Sequence, residues 1–103
     1  MNKVLDELFE TIKSRKGGNV DESWTAKLLD MGTDSICEKV IEEAEETVAE
    51  AMAKDNDKLT YESADLLYHL MVLWADRGIN PEDVLKELQR RQGVSGIEEK
   101  QSR

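Results

Sequence analysis

The apolar residues of this chain recur every three to four positions, and its β-branched residues do not alternate with polar ones. This period predicts helices and no strand, so the expected fold class is all-α. The first helix is expected over about residues 2 to 16, because the Gly17-Gly18-Asn19 segment then tolerates left-handed backbone dihedrals. Its apolar stripe consists of Val4, Leu5, Leu8, Phe9 and Ile12.

A glycine separates the second and third predicted helices. Ser23 can cap a short helix over 24–30, and Gly32 closes it. Thr33 or Asp34 can then cap a long third helix that ends at about position 54. A run of acidic residues lies midway along this third helix.

The fourth and fifth predicted helices follow two further turns. Residues 55–57 form a polar turn, after which the fourth helix runs from about Lys58 to Arg77 and ends before Gly78. The fifth helix begins at Asn80-Pro81, with asparagine as the cap and proline at the first helical position.

The fourth predicted helix contains a stretch, from Leu66 to Ala75, that is apolar almost all the way round. A surface helix is apolar on one side only, so this stretch should be buried on more than one side. A chain of 103 residues has one modest core, and pairing of two chains is a natural way to bury more apolar surface. We therefore expect residues 1–103 to form a single domain that associates as a homodimer.

The chain is acidic, with 23 Asp and Glu residues against 14 Lys and Arg and a net charge of −9. This charge argues against non-specific binding to nucleic acid or to an anionic membrane, because both would repel it. No apolar run approaches the roughly 18 residues that a membrane span requires. A single cysteine, Cys37, cannot form an intrachain disulfide, and the first residues have amphipathic rather than signal-peptide character. These features predict a soluble protein of the reducing cytoplasm.

Two pairs of carboxylates carry the strongest chemical signal. Glu43 with Glu46, and Glu62 with Asp65, are each three residues apart, which places each pair on one face of a helix. Two such helices packed together would direct four carboxylates at one point, where they need a cation. Oxygen ligands in this number suit Mg²⁺ or Mn²⁺, and magnesium commonly sits between carboxylates and the phosphates of a substrate. The pattern therefore predicts a metal site for phosphate chemistry.

The alternative is that the acidic run is only the solvated face of a helix, as most charge runs are. Against this, Glu38/Glu42, Glu42/Glu46 and Glu46/Glu50 are like-charge pairs at i,i+4, each costing roughly 0.2–0.5 kcal/mol in an isolated helix. A solvated helix would interleave lysines, and only one does so within the run. In addition, the second acidic pair directly precedes the apolar stretch, where an unpaired charge would be costly.

Other candidate residues each have a structural and a functional interpretation. Five basic side chains could bind phosphates or could simply be solvated: Lys27, Lys39, Arg90, Arg91 and Lys100. The only histidine, His69, follows Glu62 and Asp65 along one helical stripe, so it is either a core residue or a substrate contact. Tyr68 is either a packing residue or a group that stacks on a base, and we interpret Trp24 and Trp74 as packing residues.

The acidic pattern Glu42-Glu43-x-x-Glu46 followed by Glu62-x-x-Asp65 resembles the metal signature of the all-α nucleoside triphosphate pyrophosphatase superfamily, which includes the MazG proteins. Flanking blocks narrow the resemblance to its phosphoribosyl-ATP pyrophosphohydrolases and extend it over 4–103. These blocks are Ser23-Trp24-Thr25-Ala26-Lys27-Leu28-Leu29, Glu38-Lys39-Val40, Ala64-Asp65-Leu66-Leu67-Tyr68-His69-Leu70 and Arg90-Arg91-Gln92-Gly93-x-Ser95-Gly96-x-x-Glu99-Lys100. The chain departs from that family at Trp24, where tyrosine is more frequent, and at Ile41, where glycine is frequent.

The resemblance implies a MazG-like bundle of about five helices, completed by homodimerisation. It also implies hydrolysis of phosphoribosyl-ATP between its α and β phosphorus atoms, the second step of histidine biosynthesis. Glu43, Glu46, Glu62 and Asp65 would hold the metal, Mg²⁺ or Mn²⁺. Glu42 would be a further ligand or, like Glu43, a candidate for catalysis, and the substrate-binding candidates would be Lys27, Lys39, Tyr68, His69, Arg90, Arg91 and Lys100.

Two other functions are compatible with the sequence. One is a housecleaning pyrophosphatase that acts on free or damaged nucleoside triphosphates, because the metal motif is shared and the base pocket cannot be identified; the flanking blocks argue against it. The other is a non-catalytic helical interaction module, in which the acidic face serves solubility or partner docking. Binding of Mg²⁺ or Mn²⁺ would separate the module from the enzymes.

Overall fold

The computed structural model describes residues 3–93 and 100–101, and the elements in this part of the chain are α-helices without a strand, as predicted. The five helices are α1 (Lys3–Ser14), α2 (Trp24–Met31), α3 (Thr33–Met52), α4 (Asn56–Arg77) and α5 (Pro81–Arg91). Across the described ranges no helix is both long enough and apolar enough to cross a membrane.

Several helix boundaries arise from the capping residues that the sequence predicts. The Ser23 side chain accepts a hydrogen bond from the Ala26 amide at 3.1 Å and so begins α2. Gly78 ends α4 with a φ of 74°, a left-handed conformation that glycine adopts without strain. The helix α4 begins two residues earlier than predicted, because the Asp55 side chain accepts from the Lys58 amide at 3.0 Å.

The predicted cap of α3 was wrong, whereas the predicted position of the α5 cap is confirmed. The residue that precedes α3 is Gly32, without a side-chain cap, and Thr33 is already helical. The Thr33 hydroxyl instead donates to Asp76 Oδ2 on α4 at 2.5 Å, so a tertiary contact has replaced the local one. Asn80 does occupy the cap position of α5, but its side chain makes no capping hydrogen bond, and the helix begins at buried Pro81.

The helices α3 and α4 form an antiparallel hairpin, which is the most extensive helix pair in the structure. Contacts between Thr33 and Asp76 at one end and between Thr47 and Glu62 nearer the other define the register. The connecting turn places Lys54 at a φ of 58°, a conformation that is uncommon for a residue with a side chain. Because the turn is short, the C-terminal half of α3 lies beside the N-terminal half of α4.

The core lies where α1 and α2 pack on the hairpin, and α5 packs on α1. Its buried members come from four helices: Phe9, Ile12, Leu28, Ile36, Met71 and Val72. These side chains close the part of the hairpin towards the α3 N-terminus and the α4 C-terminus. The acidic part of α3 is left at the edge of this core.

The apolar stretch of α4 is buried on more than one side, as predicted, but by helices of its own chain. His69, Met71 and Val72 are buried, while Leu67 retains 41 % exposure. The stretch therefore gives weaker support for a homodimer than the sequence suggested. Larger exposed apolar side chains lie along α3 instead, where Ile41 and Val48 are 59 % and 60 % exposed.

Candidate metal centre

The α3–α4 hairpin brings the two predicted carboxylate pairs together. Glu43 and Glu46 lie on the face of α3 that packs against α4, and they interact with Asp65 and Glu62 across the hairpin. On α3, carboxylate oxygens of Glu42, Glu43 and Glu46 lie within 4.8 Å of one another. Such spacing allows several oxygens to share one cation, so the arrangement fits the predicted metal site.

The burial of Glu43 distinguishes it from the acids of a solvated helix face. Glu43 is only 5 % exposed, although it is a carboxylic acid. Among the described residues, the buried Oε2 atoms of Glu43, Glu50 and Glu62 have no hydrogen-bond partner. Buried carboxylate oxygens require a partner, and a divalent cation would serve several of them at once. These residues therefore fit a hard cation such as Mg²⁺ or Mn²⁺.

Crowding of the carboxylates perturbs their protonation. Burial, together with the nearby carboxylates of Asp65 and Glu46, raises the pKa of Glu43 to about 7. The pKa of Glu62 is also raised, by desolvation first and then by Glu46, Asp65 and Glu50. Without a cation, like charges this close together are not all ionised at neutral pH.

The metal-free protein should lose stability as the pH rises from about 4.5 to about 7. In this window folded Glu43 binds a proton that the unfolded chain has released, so the free energy of unfolding falls with increasing pH. Denaturant unfolding in the presence of a chelator measures this slope. Glu43→Gln cannot titrate and should show a shallower slope, and identical slopes in the two proteins would contradict the assignment.

Lys39 lies at the rim of the acidic cluster. Its Nζ donates to Glu42 Oε2 at 3.1 Å and lies 3.8 Å from Glu43 Oε1. The hydrogen bond to Glu42 is the main reason that the pKa of Lys39 is raised. The ammonium group also lies 5.7 Å from the centre of the Trp24 ring. Of the predicted basic residues, Lys39 is thus the one seen in contact with the carboxylates.

The aromatic candidates lie on the α2 side of the cluster. His69 is 3 % exposed, and its Nδ1 is 3.4 Å from Asp65 Oδ1. Its Nε2 accepts a hydrogen bond from the Trp24 indole N–H at 3.3 Å. The Tyr68 hydroxyl is hydrogen-bonded to the hydroxyl of Thr25. Both predicted substrate contacts thus have partners within the protein, and their role towards a substrate stays a prediction.

The remaining basic candidates lie elsewhere. Lys27 is exposed on α2, and Lys100 is exposed in the short described segment near the C-terminus. Arg90 and Arg91 lie at the end of α5, where their guanidinium groups donate to Glu87 at 2.8–3.2 Å. These bonds lower the pKa of Glu87 to about 2. Residues 94–99 of the C-terminal block lie outside the described residues.

Sequence reasoning missed three residues that the structure places at the cluster. Glu50 extends the acidic face by one turn, and its position four residues after Glu46 could have indicated this. The Thr47 hydroxyl lies 2.7 Å from the Glu43 carbonyl and 3.2 Å from that of Glu62, joining the two helices. Trp24 is 45 % exposed and contacts both Lys39 and His69, which depends on helix packing that spacing alone does not reveal.

Comparison with known proteins places this geometry in context. Residues 5–92 match the family model described as phosphoribosyl-ATP pyrophosphohydrolase. The phosphoribosyl-ATP pyrophosphatase of Paramagnetospirillum magneticum is 54 % identical over 102 residues, which cover 99 % of this chain and 94 % of that protein. That of Azospirillum brasilense is 54 % identical over 97 % of this chain and 90 % of its own length. That of Dinoroseobacter shibae is 53 % identical, with coverage of 97 % and 98 %.

Proposed function

Since the chain belongs to the phosphoribosyl-ATP pyrophosphohydrolase family, we propose that it hydrolyses phosphoribosyl-ATP to phosphoribosyl-AMP and pyrophosphate, the second step of histidine biosynthesis. One structural observation carries the proposal. Two pairs of carboxylates converge across the α3–α4 hairpin, and among them are buried oxygens that lack a hydrogen-bond partner. A site of this kind suits a cation that binds a chain of phosphates.

Glu43, Glu46, Glu62 and Asp65 are the proposed ligands of Mg²⁺ or Mn²⁺. When bound, the cation offsets the negative charge that develops on the phosphate oxygens. The protein otherwise has to position the substrate and accept a proton, and little covalent catalysis is required. In the reaction, water adds to one phosphorus atom, the bond between the α and β phosphates breaks, and the proton of water passes to a base.

Glu42 is the proposed base. Its side chain is 54 % exposed at the rim of the cluster, so water and substrate can reach it. Lys39 donates a hydrogen bond to the Glu42 carboxylate at 3.1 Å, which holds that side chain at the rim of the site. The same ammonium group is placed to contact a phosphate once the substrate has entered.

Substrate preference tests the function directly. Pyrophosphate release from phosphoribosyl-ATP should exceed release from each member of a panel of nucleoside triphosphates, measured with Mg²⁺ or Mn²⁺ in excess. A preference for plain nucleoside triphosphates would overturn the histidine-pathway assignment and support a housecleaning enzyme. Failure to bind either cation would instead support a non-catalytic module.

Recognition of the additional phosphate of phosphoribosyl-ATP is assigned to the basic residues near the C-terminus. The guanidinium groups of Arg90 and Arg91 lie side by side at the end of α5, where both contact Glu87. Arg91→Ala should weaken binding of phosphoribosyl-ATP by roughly 1.5–3 kcal/mol, the range for hydrogen bonds to charged groups. Slow hydrolysis of ATP should hardly change.

Steady-state kinetics on both substrates measure this effect, with Lys86→Ala as the control on the same helix. Lys86 is exposed and paired with Glu82 at 3.2 Å, so its removal takes away one surface charge without touching the arginine pair. Equal losses on phosphoribosyl-ATP and ATP in Arg91→Ala would place this side chain at the triphosphate instead.

The active assembly is proposed to be a homodimer formed through α3. Ile41, Val48 and Met52 follow one another along one side of this helix and are 59 %, 60 % and 78 % exposed. Ile41 and Val48 line a shallow apolar cavity together with Ala44 and Glu45. Pairing of two hairpins would cover these side chains.

The proposed location is the cytoplasm. The proposed partner is a small nucleotide, and we expect the protein to bind neither nucleic acid nor membranes.

A further inference from the structure

Trp24 is an aromatic residue that the fold holds in place without covering it. Its indole N–H donates to Nε2 of buried His69 at 3.3 Å, and the two rings lie edge-on, with centroids 6.5 Å apart. These contacts fix the ring of α2 against α4. Even so, Trp24 retains 45 % exposure, whereas Trp74, the other tryptophan of the chain, packs against the core. Packing therefore accounts for Trp74 but leaves nearly half of Trp24 open to solvent.

A single side chain separates Trp24 from the candidate metal centre. Lys39 Nζ lies 5.7 Å from the centre of the Trp24 ring. The same atom lies 3.1 Å from Glu42 Oε2 and 3.8 Å from Glu43 Oε1. In a nucleotide, one ribose separates the base from the first phosphate. A nucleotide whose phosphates lie at the carboxylates would therefore bring its base close to the Trp24 ring.

A flat and partly exposed aromatic ring beside a phosphate site is suited to binding a base. Purine rings stack on aromatic side chains, because both are planar and both bury apolar area in the contact. The orientation of Trp24 is fixed before a ligand arrives, since His69 holds its indole N–H, and this lowers the entropic cost of binding. In phosphoribosyl-ATP the additional ribose is attached to the edge of the base. It obstructs hydrogen bonding along that edge and leaves the faces of the base available for stacking.

We propose that Trp24 is the base-binding residue of the site and stacks on the adenine of the substrate. The inference rests on the proposed function and adds the one part of the substrate to which no residue has been assigned. The exposed part of the Trp24 ring receives the base. Lys39 then lies between the base and the phosphates, where its ammonium group can contact a phosphate oxygen.

The two products of the reaction make a direct test possible, because phosphoribosyl-AMP retains the base and pyrophosphate lacks it. In Trp24→Leu the dissociation constant of phosphoribosyl-AMP should rise about tenfold or more, the effect of losing one stacked base. The dissociation constant of pyrophosphate, measured with Mg²⁺, should not change. In steady-state kinetics the KM for phosphoribosyl-ATP should rise more than kcat falls, because stacking is the same in the ground state and the transition state.

Trp24→Phe and Tyr61→Leu are the controls. Phenylalanine retains a ring on which a base can stack, so Trp24→Phe should keep most of the affinity for phosphoribosyl-AMP. Tyr61 is a 70 % exposed aromatic residue of α4, and Tyr61→Leu should leave both dissociation constants unchanged. Trp24 lies outside the buried core, so its replacement leaves the core intact. A tryptophan that only positioned Lys39 would affect pyrophosphate as well, so equal losses on the two products in Trp24→Leu would overturn the proposal.

The fluorescence of Trp24 reports the contact itself. The chain has two tryptophans, so Trp74→Phe leaves Trp24 as the only one. Phosphoribosyl-AMP should quench its emission, because a stacked base quenches indole fluorescence, and pyrophosphate with Mg²⁺ should not. Unquenched emission at saturating phosphoribosyl-AMP would overturn this proposal alone, provided that the protein hydrolyses phosphoribosyl-ATP. Native protein that neither hydrolyses phosphoribosyl-ATP nor binds either product would overturn the proposed function, and this inference with it.

Discussion

Glu43→Gln should lower turnover by at least about 100-fold. Replacing a residue that only orients a metal ligand already costs about 10–100-fold in metal affinity or activity, and Glu43 is a proposed ligand itself. The amide keeps the shape of the side chain but removes the charge that holds the cation. Glu46→Gln, Glu62→Gln and Asp65→Asn should behave in the same way, since the four carboxylates interact with one another across the hairpin.

The same substitution should leave the metal-free fold intact and raise its melting temperature at neutral pH. Glu43 is buried among carboxylates that repel it, so removing its charge relieves a repulsion that a bound cation would otherwise offset. Turnover at saturating Mg²⁺ and thermal melting in a chelator measure the two effects separately.

Glu38→Gln is the control for these experiments. Glu38 is an exposed acid on the same helix, one turn before Glu42 and outside the carboxylate cluster. Its removal changes the net charge by the same amount as Glu43→Gln, and it should leave turnover nearly unchanged. Near-native rates in Glu46→Gln or Asp65→Asn would mean that the cluster is only a solvated face.

Val48→Asp should convert the proposed homodimer into a monomer. Val48 lies in the middle of the exposed apolar side of α3, and an aspartate there would place an unpaired charge inside the interface. The native melting temperature should rise with protein concentration, because folding and association are linked in such a dimer. The variant should melt independently of concentration and sediment as a monomer.

Leu88→Asp provides the matched control for the dimer. Leu88 is 53 % exposed on α5, the helix that packs on α1. The same change from an apolar to a charged side chain there should leave an interface on α3 intact. A native protein that sediments as a monomer and melts at one temperature at all concentrations would contradict the homodimer. Dissociation by Leu88→Asp but not by Val48→Asp would place the interface on another helix.

The helices could be predicted from the sequence because their signals are local. Apolar spacing and the caps at Ser23 and Gly78 depend on neighbouring residues only, and these predictions are confirmed. The cap of α3 could not be predicted correctly, because the Thr33 hydroxyl bonds to Asp76, more than forty positions away in the chain. The Thr33 hydroxyl could bond either within its own helix or to another helix, and the packing of the helices decides between the two.

The candidate site could likewise be predicted where its signals are local, but not where they depend on helix packing. Spacing at i and i+3 was enough to pair the carboxylates, since a helix converts spacing into a shared face. The surroundings of Trp24 and His69 were not predictable, because they come from the packing of α2 against α4. The homodimer was predicted from the apolar stretch of α4, and much of this stretch is covered by helices of the same chain. Sequence shows how apolar a helix is, but not how much of it its own chain covers.

The short turn between α3 and α4 also affects how the site forms during folding. Every proposed ligand lies between positions 43 and 65, so one loop closure, the least costly kind in entropy, brings them all together. Their mutual repulsion opposes that same closure. A divalent cation present during refolding should therefore increase the folding rate as well as slow unfolding.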